Sequence, residues 1–163
     1  MQPWFDGVGM RAKGYGNKAL YFNFNAVTCE ASMYKLETEN FTFELEPYMT
    51  DCKLRIKVSS YGFSADTMID ADELYLGDFS FSLNEFYETM RGSVKLQDLS
   101  TDSFIEFTAK ANGYISVAGR INNGQDYGHG FYQQLTFENE FDQTYLHDLA
   151  KTLFADFGEY AGQ

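Results

Sequence analysis

Side chains able to carry chemistry are plentiful in this chain, but few stand at spacings that chemistry requires. Glu138/Glu140 and Asp70/Asp72 are carboxylate pairs of the kind that hydrolytic acid–base catalysis uses. Strand alternation, however, sets Glu138 and Glu140 side by side on a wet face, where two solvated acids are the expectation. His129 lies in a glycine-rich loop beside Asp126 and Tyr127, and His147 falls near the start of an expected helix. Neither belongs to an H-x-x-x-H or H-E-x-x-H pattern, so no metal site is expected. Cys29 and Cys52 form no C-x-x-C pair and are expected as two buried free thiols. There is no G-x-S-x-G elbow, and the glycines from Gly7 to Gly16 lack both a preceding strand and a Gly-Lys-Ser/Thr ending. Enzymatic activity, a metal and a cofactor are therefore not expected.

The acids become informative as a field. The chain holds 24 Asp and Glu against 12 Lys and Arg, a net charge of −12. Residues 1–40 are neutral, so the whole excess lies in residues 41–163. Two stretches carry acids and no base: Tyr61 to Phe79 and Ile121 to Ala150. A nucleic-acid backbone is excluded as a partner, because its binding requires clustered Lys and Arg. A basic protein is the partner such a field would steer. The candidate contact residues are Asp66, Asp70, Asp72, Glu73, Asp126, Tyr127, Glu138 and Glu140, and the two stretches are expected to meet in space.

The elements that must position these residues follow from periodicity. At 163 residues the chain fits one domain. Residues 1–40 are expected to form an arm or edge-strand segment, with Leu20, Phe22 and Phe24 alternating as in a short strand, and residues 41–163 the domain proper. Phe41, Phe43 and Leu45 alternate with Thr42, Glu44 and Glu46 up to Pro47, and Leu54, Ile56 and Val58 alternate with Lys53, Arg55 and Lys57. The opposed signs predict a hairpin in which Glu44 and Glu46 meet Lys57 and Arg55. Further strands are expected over 61–69, around Val94, around Ile105, over 115–121 and over 131–141. A capping box at Ser82/Glu85 predicts a helix over 82–91 with Leu83, Phe86, Tyr87 and Met90 inward. Asp142 is the expected cap of a second helix over 142–157, lined by Leu146, Leu149, Ala150, Leu153 and Phe157. The sum is an α+β fold of six to eight mostly antiparallel strands and two helices. No apolar run approaches the ~20 residues needed to span a bilayer, and the N-terminus has no basic or apolar signal pattern. A cytoplasmic protein with no membrane partner is the expectation.

The segments Phe104-Ile-Glu-Phe-Thr-Ala-Lys-Ala111, Gly113-Tyr-Ile-Ser-Val-Ala-Gly-Arg-Ile121 and Leu135-Thr-Phe-Glu-Asn-Glu-Phe-Asp-Gln-Thr-Tyr-Leu146 resemble the WapI-type immunity proteins of bacteria. So does Phe79-Ser-Phe-Ser-Leu-Asn-Glu-Phe86, at the place of that family's mid-chain helix. The resemblance covers residues 41–157, and its most specific block is Asp142-Gln-Thr-Tyr-Leu146. It implies a non-enzymatic antitoxin that binds and inactivates a cognate polymorphic toxin domain, often a basic nuclease. The alternative is a stand-alone binding or oligomerising domain that uses the 16 Phe and 12 Tyr for self-association or small-molecule capture.

Overall fold

The computed structural model describes residues 33–122 and 133–162. Leu20, Phe22, Phe24, Cys29, Asp126, Tyr127 and His129 lie outside the described residues. Four strands, β1 (Tyr34–Glu37), β2 (Phe41–Tyr48), β3 (Lys53–Ser60) and β4 (Phe63–Asp70), form one antiparallel meander. Helix α1 (Glu73–Thr89) leads to a second meander of β5 (Ser93–Gln97), β6 (Phe104–Ala109), β7 (Tyr114–Asn122) and β8 (Gln134–Asp142). A short 3-10 turn, Gln143–Leu146, then passes into α2 (His147–Phe157).

Period-2 alternation sorts each strand into an inner and an outer face. Phe41, Phe43 and Leu45 of β2 and Leu54, Ile56 and Val58 of β3 are buried on the first sheet. Ile105 and Phe107, Ile115, Val117 and Ile121, and Phe137 and Phe141 are buried on the second. The two apolar faces meet. Phe43 lies 6.0 Å from Phe107, and Phe41 lies 5.6 Å from Phe137, ring centre to ring centre. Gly119 permits this packing. A Cβ there would stand 2.7 Å from the Phe104 carbonyl oxygen and 2.8 Å from Phe137 Cε1.

The hairpin of β2 and β3 has the register that the charge pattern predicts, with Glu44 opposite Lys57 and Glu46 opposite Arg55. Pro47 does not end β2 but lies inside it, opposite Leu54. Among the described residues strand β1 reaches only as far as Leu45, so beyond it β2 is paired there on one side, and a missing N–H is tolerated.

Both expected helices are present, but α1 begins at Glu73 rather than at Ser82. Asp72 is its cap, accepting a hydrogen bond from Tyr75 N at 2.8 Å, while Ser82 is an exposed mid-helix residue. The inward stripe runs Leu76, Phe79, Ser80, Leu83 and Phe86, so the helix continues about two and a half turns upstream of Ser82. Asp142 caps the 3-10 turn ahead of α2, accepting from Thr144 N at 2.9 Å.

The helices pack together and against the sheet edges formed by β1 and β5. Tyr34 of β1 meets Phe157 edge-on and donates to Asp156 Oδ2 at 2.7 Å, while Gln97 N of β5 donates to Tyr75 Oη. Lys151 of α2 binds Asn84 and Glu88 of α1. At the opposite edge no helix intervenes among the described residues, and β4 lies directly against β7 and β8. Among the described residues no helix is long and apolar enough to cross a membrane.

Cys52 departs from expectation. It sits exposed and free at the turn between β2 and β3, with φ of 50°, because the chain turns there out of a 3-10 segment.

Candidate functional site

The outer face of the first sheet is a ladder of matched charges. Lys35, Glu44, Lys57 and Asp66 stand in one cross-strand row. Arg55 holds Asp66 with two hydrogen bonds of 2.8 Å and approaches Glu46 at 3.6 Å. Lys53 binds Asp70. These partners set the acidity of the two carboxyls. The Arg55 guanidinium holds Asp66 below the usual carboxylate range, and Lys53, helped by Ser100, does the same for Asp70. Asp72 is occupied as the cap of α1. Glu73, in the first turn of α1, adds to the negative field that pushes the Tyr160 phenol up.

The second sheet presents a different outer face. Glu138 and Glu140 project from β8, the edge strand, and are exposed with no ion pair or hydrogen bond among the described residues. Their neighbours on β7 are small: Ala118 stands opposite Glu138 and Ser116 opposite Glu140. The bases of this face are engaged elsewhere. Arg120 is bound to Asp102 at 2.9 Å, and Lys95 lies 4.4 Å over the Phe104 ring. Tyr114, opposite Asp142, and Tyr145, in the turn that follows β8, are both exposed. Glu138 and Glu140 thus stand without counter-charge among the described residues, with exposed Tyr114 and Tyr145 toward the Asp142 end of the strand.

Asp66 and Asp70 on one side and Glu138 and Glu140 on the other thus occupy the outer faces of different sheets. The candidate acids are divided between a neutralised face, a helix start and an unneutralised edge. Sequence reasoning passed over Asn139. It lies between the two glutamates but points inward, where its Nδ2 donates to Ser60 Oγ at 2.9 Å across the two sheets. An amide in an otherwise apolar inward row was the available signal. It also passed over Asp98. This buried carboxylate accepts from Asp70 N, Ser100 and Thr101, and so fastens the end of β4 to the β5–β6 turn.

Among the described residues no three His, Cys, Asp or Glu side chains are grouped to hold a metal ion. His147 pairs with the adjacent Asp148 and meets the Tyr87 ring at 5.5 Å. No curated protein matches the chain. Residues 27–161, which span both sheets and both helices, match the immunity protein WapI-like family, and the chain belongs to that family.

Proposed function

We propose that this protein binds and neutralises a cognate toxin domain, a basic nuclease, without itself being a catalyst. Family membership supports the immunity role. The observation that carries the electrostatic part is the uncompensated pair Glu138 and Glu140 on the β8 edge, beside Tyr114 and Tyr145. Asp126 and Tyr127, outside the described residues, belong to the same reading by their place in the sequence shortly before β8. Asp66, Asp70, Asp72 and Glu73 contribute less, because each already serves a partner within the chain.

The test is a pull-down with the product of the adjacent gene, followed by nuclease inhibition at rising salt. Inhibition should weaken as the Debye length falls below about 8–10 Å. Tight inhibition indifferent to salt and to charge reversal at Glu138 and Glu140 would discard the acidic surface. Absence of any complex with that product would discard the toxin.

A further inference from the structure

Where the helices do not fill the gap between the sheets, a cleft of about 320 Å³ remains open. Its wall includes Phe63, Ala65 and Thr67 of β4, and Ile121 and Leu135 at the ends of β7 and β8. By strand alternation these five belong to the inner faces, so the cleft is an unfilled continuation of the core. Phe63 is nonetheless 71% exposed, and Tyr61, two residues before it, is 67% exposed. They are the two most exposed large apolar side chains among the described residues.

Tyr61 also sits where a tyrosine is disfavoured. Tyr61 and Gly62 make the two-residue turn between β3 and β4 with φ of 48° and 84°. Such turns take Asn-Gly or Asp-Gly, because L-residues with larger side chains are strained at positive φ. A strained, exposed aromatic beside an open apolar cleft points to a contact made with another molecule.

The charges indicate which molecule. Among the described residues no Lys or Arg lines the cleft, and the one charged wall residue among them is Asp66, which Arg55 holds from outside the lining. Tyr61 N donates to Asn40 O, so the turn carrying the exposed Glu39, which has no ion pair among the described residues, stands next to the aromatics. Gln133 and Gln134 add amide carbonyls, which can accept hydrogen bonds. From Gln134 the strand runs directly to Glu138 and Glu140. We infer that the cleft is the anchor pocket of the toxin interface and receives a long basic side chain of the toxin domain. The alkyl stem lies along Phe63, Ala65 and Leu135, and the cationic head faces the aromatic rings and the amide carbonyls. This rests on the immunity reading proposed above.

The experiment measures dissociation of the purified, catalytically inactivated toxin domain of the adjacent gene from wild type, Tyr61→Asn and Phe63→Thr. Tyr61→Asn creates the favoured Asn-Gly turn, and Phe63→Thr keeps a strand-forming residue. Both variants should melt no lower than wild type yet release the toxin about tenfold faster or more, as loss of an aromatic anchor does. Wild-type binding with unchanged dissociation of both variants would overturn the anchor while leaving the immunity reading intact. A fall in melting temperature of Phe63→Thr that accounts for its weaker binding would show the cleft covered by this chain's own residues, and would also overturn it. Faster release from both variants, with the accelerations unaffected by salt, would replace the basic side chain by an apolar one. A wild type that never binds the toxin would remove both readings.

Discussion

Asp142 shows how one carboxylate can look like a contact and act as a fastening. It ends an acidic strand, but its Oδ1 accepts from Thr144 N and starts the turn that delivers Leu146 to the core. That backbone hydrogen bond holds its carboxyl below the usual range. Asp142→Ala should therefore lower the melting temperature by about 2–4 °C while toxin binding survives in the folded fraction. Lost binding with an unchanged melting curve would reverse that assignment. Asp66, Asp70 and Asp102 share the same direction of shift, caused by Arg55, Lys53 and Arg120. Because these four carboxyls bind protons less readily folded than unfolded, their stabilisation is fully present above the ordinary carboxylate pKa of about 4 and is lost as pH falls below it. A melting series from neutral to acid pH should show the loss only in that acid range, and Asp66→Asn with Asp70→Asn should flatten it.

At the scale of elements, Gly119 is the tightest joint between the two sheets. Gly119→Ala drives a methyl group into the Phe104 carbonyl and the Phe137 ring, so denaturant unfolding should show a loss of about 1–3 kcal/mol. An unchanged midpoint would mean that Phe137 moves aside freely. The β2–β3 hairpin was legible from sequence because its apolar period and its charges agree: Glu44 and Glu46 can meet Lys57 and Arg55 in one register only. The block at Asp142 was legible for the same reason, a capping residue followed by a clean apolar stripe. The start of α1 was hidden. Leu76 and Phe79 continue the apolar stripe upstream, but Gly77 and Ser80 interrupt the buried face, and Ser82 with Glu85 imitates a start inside the helix. The candidate site was half legible. Alternation put Glu138 and Glu140 outward, as the structure has them, but which acids keep a free charge depends on cross-strand neighbours. The charge of Asp66 is compensated by Arg55 across the β3–β4 register, and a base-free stretch of sequence cannot reveal that pairing.

For the whole molecule, two meanders facing each other leave two edges to close. The helices seal one, and the other keeps an open cleft and the acidic strand β8. Under the proposed function this second edge binds a basic toxin domain through Glu138 and Glu140. Asn139 provides the internal control, since it lies between them and faces the core. Asn139→Ala leaves Ser60 without its partner and should cost about 1–3 kcal/mol of stability, with binding by the folded fraction intact. The most direct measurement is the association rate of the adjacent gene's toxin domain with wild type and with Glu138→Lys/Glu140→Lys, at low and at physiological salt. The variant should keep its melting temperature and associate about tenfold or more slowly at low salt, with the difference shrinking as salt rises. Equal association rates at both salt concentrations would contradict the proposed function of this edge.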